Sequence, residues 1–269
     1  MRVIAIANQK GGCGKITTAV NLAVCLAEIG RKTLILDFDP QGHSTIGLGL
    51  DSENLPATIY DAITKPQVSV SEVIVKTNFE CLDLAPSNVL LSGAEVELVS
   101  MVGREFVLSK ELDKIKDEYD MCIIDCPPSL SLLTLNSLVA SSDVVVPVQA
   151  HYYAMEGLKQ LFETVNIIKE HLHSCSVKIL GLLLTFVNKT TLLSRQTENQ
   201  MREYFGDLVF ETVIHRSVRL AEAPSTGEPV LTYAPESRSA AEYRALAQEI
   251  INGRVSIEQK DDAEALARR

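Results

Sequence analysis

Short apolar segments recur along this chain and alternate with longer stretches in which apolar residues are spaced three or four positions apart. Segments of the first kind predict strands, and stretches of the second kind predict helices that bury one face. The predicted strands are Val3–Ala7, Thr33–Leu36, Met121–Ile124, Val144–Val148, Ile179–Thr185 and Val209–Ile214. Their unbroken Val, Ile and Leu content is typical of parallel strands covered on both faces. The alternation therefore predicts an α/β fold with a doubly wound, mostly parallel sheet flanked by helices.

The helical pattern is clearest near the two ends of the chain. In Thr18–Ile29 the side chains of Leu22 and Leu26 share one face, and Gly30 ends the helix. Ala240–Ile251 has the same periodicity. Its inward-facing side chains are Tyr243, Leu246 and Ile250. We expect a single domain over residues 1–254, followed by a polar tail, residues 255–269, that is flexible or weakly helical.

The composition argues against a membrane-spanning, secreted or disulfide-rich protein. The chain has 269 residues, of which 46% are hydrophobic, and contains no apolar run of about 18 residues that would span a membrane. The first ten residues lack the long apolar segment of a signal peptide, and six irregularly spaced cysteines do not suggest a disulfide framework. We therefore expect a cytoplasmic location, with Cys25 and Cys122 as buried thiols.

A glycine-rich segment lies between the first predicted strand and the first predicted helix. It reads Lys10-Gly11-Gly12-Cys13-Gly14-Lys15-Ile16-Thr17. Its glycines let backbone N–H groups approach a polyphosphate, and the helix N-terminus adds the positive end of its dipole. This segment departs from the usual phosphate-loop pattern, G-x-x-x-x-G-K-[ST]. It contains a second lysine, Lys10, and it has Ile16 where the pattern has a Ser or Thr whose hydroxyl binds Mg²⁺. The segment predicts a phosphate site with an altered metal shell.

Acidic residues end two of the predicted strands. Asp37 and Asp39 follow the second strand, and Asp125 ends the third. Because the carboxyl ends of parallel strands meet at one edge of a sheet, these carboxylates are expected beside the phosphate loop, where they suit Mg²⁺ and water positioning. A strand that ends in Asp is by itself a weak signal, and its specificity here comes from the order of the motifs.

Together these residues resemble the ParA/Soj partition ATPases, in the deviant Walker A branch of P-loop proteins that also includes the MinD family. The likeness extends from Arg2 to about Ile251. The segments that carry it are residues 7–12 (ANQKGG), 37–42 (DFDPQG), 125–130 (DCPPSL), 147–150 (PVQA) and 218–225 (VRLAEAPS).

The resemblance implies a role for each matching position. Lys10 matches the lysine that crosses to the nucleotide of a second subunit, Lys15 the phosphate-binding lysine, and Asp39 the residue that positions the attacking water. Asp37 and Asp125 match the Mg²⁺ shell. The expected nucleotide contacts are Gly11, Gly12, Cys13, Gly14, Lys15, Ile16, Thr17, Asn188 and Pro224. For Asn188 the alternative is a turn residue at the end of a strand. Arg219 matches a DNA-binding position, and Arg195 and Arg202 are further candidates for a basic rim.

The function implied is an ATP-dependent switch. With ATP and Mg²⁺ two copies form a sandwich homodimer that binds DNA without sequence preference on the nucleoid, and a ParB-like protein stimulates hydrolysis. The net charge of −10 predicts that DNA binding is weak per monomer and sensitive to salt. Ile16 predicts slow hydrolysis, because it offers no oxygen to Mg²⁺. The alternatives are a non-catalytic, nucleotide-dependent scaffold and a MinD-like membrane-cycling ATPase. The cargo, whether chromosome, plasmid or protein assembly, stays open.

Overall fold

A seven-stranded sheet forms the centre of the fold in the computed structural model, which describes residues 1–149, 154–172 and 175–253. The strands are β1 (Arg2–Ile6), β2 (Thr33–Asp37), β3 (Val75–Lys76), β4 (Leu82–Ala85), β5 (Met121–Asp125), β6 (Asp143–Gln149) and β7 (Lys178–Thr185). Their order in the sheet is β3-β4-β2-β5-β1-β6-β7. Only the β3–β4 pair is antiparallel within the described residues. The predicted doubly wound, mostly parallel sheet is confirmed.

Helices cover both faces of the sheet. They are α1 (Lys15–Glu28), α2 (His43–Gly47), α3 (Ile59–Thr64), α4 (Val70–Val73), α5 (Leu91–Val99), α6 (Val107–Asp113), α7 (Leu132–Val139), α8 (Ala154–His171), α9 (Leu192–Phe205), α10 (Val218–Glu222), α11 (Val230–Tyr233) and α12 (Arg238–Ile251). Alternate residues of a strand enter opposite layers, so that Ala5 belongs to one apolar cluster while Ile4 and Ile6 belong to the other. None of the helices described is long and apolar enough to cross a membrane.

Most of the predicted elements are confirmed within one or two residues at their ends, although α1 begins three residues before its predicted start. Tyr243, Leu246 and Ile250 are buried on α12, as expected. Cys25 and Cys122 are buried thiols. The limit of the single domain at residue 254 stays a prediction, and the tail, residues 255–269, lies outside the described residues.

The predicted strand Val209–Ile214 is wrong. The segment runs beside β7 and forms one isolated bridge to it, between Val209 and Leu182. The backbone N–H groups of Phe210 and Ile214 donate to the carbonyls of Leu182 and Leu184. The N–H groups of the residues between them, Glu211 and Thr212, donate instead to the Glu249 carboxylate of α12. Four residues of the segment therefore span two residues of β7, and a regular ladder does not form.

The hydrophobic pattern did not predict β4, because this strand contains an aspartate, Asp83. The strand reads Leu-Asp-Leu-Ala, and all four residues are buried. Asp83 tolerates burial because its Oδ2 accepts hydrogen bonds from Tyr119 Oη at 2.8 Å and Lys76 Nζ at 2.7 Å. Both partners lie on other segments, so the local sequence does not indicate that this carboxylate is buried.

Candidate functional site

The glycine-rich segment forms a loop between β1 and α1, at the carboxyl end of the sheet. Gly14 precedes α1 with φ 90°, and Gly12 has φ 70°. Both values lie in the left-handed region that glycine adopts without steric cost. The first N–H groups of α1 have no partner within the helix, and they point to the side from which an anion approaches. The loop is thus shaped as a phosphate cradle.

Hydrogen bonds tie this loop to the strands on one side of β1. Asn8 donates to the Pro147 carbonyl of β6 at 2.7 Å and accepts from the Lys10 backbone N–H at 2.9 Å. Thr185, at the end of β7, donates to the Cys13 carbonyl at 2.8 Å. Lys15 is buried, and its ammonium donates to the Lys10 carbonyl at 3.3 Å. The backbone of the loop is therefore held by β6, by β7 and by contacts within the loop.

Two of the carboxylates end β2 and β5, the two strands that follow β1 on one side of the sheet. Asp37 ends β2 and Asp125 ends β5, and the two residues are directly opposite each other in the parallel pairing. Ile6 of β1 is the partner of Asp125 on the other side. Asp39 is also buried, two residues beyond Asp37. The structure thus brings together the three predicted carboxylates and the phosphate loop.

Short polar side chains hold these carboxylates in place. Thr45 donates to Asp37 Oδ2 through both its backbone N–H and its hydroxyl, each at 2.8 Å. Ser44 donates to Asp125 Oδ2 at 2.6 Å. The backbone N–H of Gln41 donates to Asp39 Oδ1 at 2.9 Å. All of these donors lie on α2 or on the turn before it, so this segment orients the whole acidic group.

Burial changes the acidity of the pair. It raises the pKa of Asp37 to about 6, against the hydrogen bonds from Thr45, which lower it. For Asp125, burial and then the neighbouring Asp37 charge raise the pKa well above its usual value, while the Lys15 ammonium acts in the opposite direction. Two buried carboxylates side by side are unfavourable as anions unless a cation joins them.

The acidic group fits Mg²⁺ in its donor chemistry, since Mg²⁺ prefers carboxylate oxygens. Asp125 Oδ1 is buried and receives no hydrogen bond from the described residues, which leaves it free for a cation. Ile16 is the exception. Its side chain carries no oxygen, packs at the edge of an apolar cluster and lines a cavity of about 270 Å³ together with Ile46 and Leu220.

A wider cleft opens next to the phosphate loop, with a volume of about 630 Å³ that suits a small-molecule ligand. Its lining residues are Gly12, Gln149, Phe186, Asn188, Thr191, Leu193, Ser194 and Arg216. Phe186 has φ 52°, a strained backbone conformation for a residue with a large side chain. Strain of this kind persists where the surrounding structure imposes it, as at ligand sites.

Residues 1–179 match the AAA domain family. The chain is 48% identical over 249 residues to the sporulation initiation inhibitor protein Soj of Bacillus subtilis, a match that covers 93% of this chain and 98% of the relative. It is 44% identical over 250 residues to the chromosome partitioning protein ParA of Myxococcus xanthus, covering 93% and 88%. The chain belongs to the ParA/Soj family of P-loop ATPases.

Solved structures agree with the ParA/Soj assignment. Cobyrinic acid a,c-diamide synthase of Mycobacterium smegmatis with bound ATP analogue and magnesium has a TM-score of 0.82 at 35% identity, covering 94% of this chain and 95% of that one. A Cyanothece McdA variant in complex with ATP has a TM-score of 0.84 at 25% identity, covering 96% and 99%.

The predicted site residues of this ParA/Soj protein occupy distinct places around the loop. Lys10 is exposed, whereas Lys15 is buried beside the acidic group. Asn188 lines the wide cleft and also caps its own turn, because its Oδ1 accepts from Thr190. Pro224 lines the smaller cavity with Ile16 and Thr17 rather than the cleft. The roles of these residues stay predictions.

The candidate DNA-binding arginines are on two helices. Arg219 on α10 is exposed and pairs with Glu222 at 3.1 Å. Arg202 on α9 pairs with Glu198 at 3.4 Å, so part of its charge is neutralised, and Arg195 is exposed on the same helix. A surface ion pair of this kind is weak and exchanges readily for a phosphate.

The raised pKa of Asp37 predicts a pH dependence of metal binding. In the protein without metal, protonation of Asp37 at low pH stabilises the fold, and this contribution is lost as the pH rises from about 4 through about 6. Mg²⁺ needs the ionised forms and competes with that proton. We expect the Mg²⁺ affinity of the nucleotide-bound protein to fall about tenfold per pH unit below pH 6 in calorimetric titrations. An affinity that is the same at pH 5 and pH 7.5 would contradict this.

Sequence reasoning missed the hydroxyl groups that hold the site together. Ser87, after β4, donates to the Asp39 carbonyl at 2.8 Å, and its backbone N–H donates to Thr45 Oγ1 at 3.1 Å. Ser44 and Thr45 follow Asp37 closely in sequence, which is a weak signal. No local pattern connects Ser87 with them, because the contact depends on the pairing of β4 with β2.

Proposed function

We propose that this chain is an ATP-dependent dimer switch that partitions a chromosome or plasmid. As a member of a family of partitioning ATPases it binds ATP with Mg²⁺ and hydrolyses ATP. ATP closes a sandwich homodimer, the dimer binds DNA on the nucleoid without sequence preference, and a ParB-like partner stimulates hydrolysis and release. The observation that carries this proposal is one loop with two lysines, of which Lys15 is buried beside the carboxylates and Lys10 is exposed.

Within one subunit, the loop would bind the phosphates and the carboxylates would hold the metal and the water. The backbone N–H groups and the Lys15 ammonium bind the phosphates, and the wide cleft with Phe186 and Asn188 has the size for a nucleoside. Asp37 and Asp125 would hold Mg²⁺, which neutralises phosphate charge when it is bound. Asp39 accepts the hydrogen bond of the attacking water and keeps it in line with the terminal phosphate.

The second lysine supports the sandwich dimer. The carbonyl of Lys10 accepts from Lys15 in its own subunit, while the side chain of Lys10 is exposed. An exposed ammonium next to a phosphate site can neutralise the phosphates of a facing subunit in a symmetric pair. A further support is the number of exposed aliphatic side chains on and next to α5, because such groups mark association surfaces. They are Val89, Leu90, Val96, Val99 and Val102, and Val99 lines a groove together with the exposed Leu130 of the loop after β5.

DNA binding is proposed for Arg219 on α10 and for Arg195 and Arg202 on α9. At a net charge of −10 the chain is repelled by DNA as a whole, so local arginines must supply the attraction. A dimer doubles the number of such groups on one surface, which makes binding depend on ATP. The same acidic surface suits a partner that presents a basic segment, as the ParB-like protein would.

Replacing Arg219 with Ala should weaken ATP-dependent DNA binding and reduce the salt slope of log K for the dimer by about 2, because one phosphate contact is lost in each of its two subunits. Fluorescence anisotropy with ATP, with ADP and without nucleotide, at two salt concentrations, measures this. Arg31→Ala is the matched control, since Arg31 is also exposed but lies at the opposite end of the sheet, just before β2. Isotherms that coincide for Arg219→Ala and the parent would remove this residue from the DNA site.

A second candidate function is a nucleotide-dependent scaffold that does not turn over. Ile16 favours it, because the loop keeps its phosphate cradle while the metal loses an oxygen. The two functions differ in one measurement. The switch releases phosphate from ATP when the partner is added, whereas the scaffold forms the ATP-bound dimer and releases none.

A further inference from the structure

α2 brings a hydroxyl group to the Asp125 carboxylate, whereas position 16 of α1, an isoleucine, has none. The Ser44 hydroxyl donates to Asp125 Oδ2 over 2.6 Å, and both residues are fully buried. In phosphate-loop proteins with the usual pattern, a Ser or Thr at the position of Ile16 provides the hydroxyl beside this carboxylate and the cation. Here a residue of another segment holds the carboxylate.

The arrangement around Ser44 is rigid. The next residue, Thr45, holds Asp37 Oδ2 with two hydrogen bonds of 2.8 Å, so consecutive residues of α2 each hold one of the paired carboxylates. The helix begins after Gly42, which has φ 63°, and a Cβ at Gly42 would lie 3.0 Å from the Ser87 carbonyl oxygen. The backbone before Ser44 is therefore fixed by a position that excludes other residues.

The two oxygens of Asp125 are used differently. Oδ2 accepts the Ser44 hydroxyl, and Oδ1 is buried with no donor among the described residues. A carboxylate that is fixed through one oxygen presents the other in a constant direction, which is what a cation with strict octahedral geometry needs. α1 and α2 face each other across the cavity that Ile16 and Ile46 line, so the position that lacks the oxygen is adjacent to the helix that supplies the hydroxyl.

We propose that Ser44 is a positioning residue that replaces, at Asp125, the hydroxyl that position 16 lacks, and thereby keeps Asp125 Oδ1 directed at the Mg²⁺ that binds with the nucleotide. This inference rests on the proposed ATP and Mg²⁺ site. It explains how the chain retains a metal site with an isoleucine in the phosphate loop. It also implies that the two positions are coupled, so that a hydroxyl at either one orients the carboxylate.

A double-mutant cycle with Mn²⁺ as the probe tests the coupling. Mn²⁺ binding to the ADP-bound protein is measured by electron paramagnetic resonance for the parent, Ser44→Ala, Ile16→Thr and the double variant. In the parent background Ser44→Ala should weaken Mn²⁺ binding about tenfold, because a hydrogen bond to a charged group is lost. In the Ile16→Thr background the same change should cost less than about threefold, since the new hydroxyl takes over.

Controls separate this role from general damage. Ser141→Ala also removes a buried hydroxyl, but one that donates to the Ser137 carbonyl, away from the site. It should leave Mn²⁺ binding unchanged. If Ser44→Ala does not melt cooperatively, Ser44→Cys replaces it in the cycle, because a thiol keeps the size and is a weak donor. ADP binding in the presence of a chelator is measured for every variant.

An equal loss in both backgrounds would show that Ser44 has only a structural role, and no loss in the parent background would overturn the proposal outright. Either result leaves the proposed nucleotide site standing as long as ADP still binds. A parent protein that binds neither ADP nor Mn²⁺ would instead contradict the proposed function itself.

Discussion

Replacing Ile16 with Thr raises the steady-state ATPase rate, by about thirtyfold, which corresponds to about 2 kcal/mol of transition-state stabilisation. The new hydroxyl adds an oxygen to the metal shell next to Asp125, whose Oδ1 is already free for a cation. It also removes an apolar branch from the neighbourhood of a hydrated ion, which lowers the cost of binding it. Phosphate release from Mg-ATP, with and without the partner protein, measures the effect.

Ile16→Val is the matched control for this change. Valine has the shape of threonine but no oxygen, so it reports on the smaller side chain alone, including any loosening of the cavity lined by Ile16 and Leu220. The rate of the valine variant should stay close to that of the parent. Equal rates for the threonine variant and the parent would refute the interpretation of Ile16 as an impaired metal position.

Replacing Lys10 with Ala should abolish the ATP-dependent dimer while leaving nucleotide binding to the monomer within about threefold of the parent. The side chain of Lys10 is exposed, so the folded subunit loses no packing. Facing phosphates in a sandwich repel each other unless cations lie between them, and this ammonium is the group that the loop offers. Sedimentation velocity with Mg-ATP and with Mg-ADP distinguishes the two states.

The control for the Lys10 change is Lys116→Ala, which removes another exposed lysine between α6 and β5. It should dimerise like the parent in Mg-ATP. A Lys10→Ala protein that still forms the dimer in Mg-ATP, but not in Mg-ADP, would mean that another group closes the interface.

The sequence predicted the parts of this molecule that depend on local patterns. The strands β1, β2, β5, β6 and β7 are continuous apolar segments, and their ends carry the loop and the carboxylates. Parallel pairing then places Asp37 directly opposite Asp125, at the edge of the sheet where the motifs predicted both carboxylates. The family resemblance rested on the same segments, and the relatives confirm it.

The pattern of hydrophobic and polar positions did not predict contacts between distant segments. Ser44 bonds to a carboxylate 81 positions away, and Asp83 is made compatible with a strand by Tyr119, 36 positions away. His215 is buried against Glu242 of α12, with 2.6 Å between Nδ1 and Oε1. In each case a polar group is paired only once the chain has folded, and neither partner is marked by its neighbours in sequence.

In the proposed dimer each phosphate site is completed by Lys10 from the facing subunit. Mixing two inactive variants, Lys10→Ala and Asp39→Ala, tests it, with both changes made in the Ile16→Thr background to give a measurable rate. In the mixed dimer one of the two sites has its own Asp39 and receives Lys10 from the other subunit, so ATPase activity, absent from either variant alone, should return to at most about half of the unmixed Ile16→Thr protein. If Lys10 served its own subunit, every site in the mixture would lack one group, and a mixture that stays inactive while still forming mixed dimers would contradict the account.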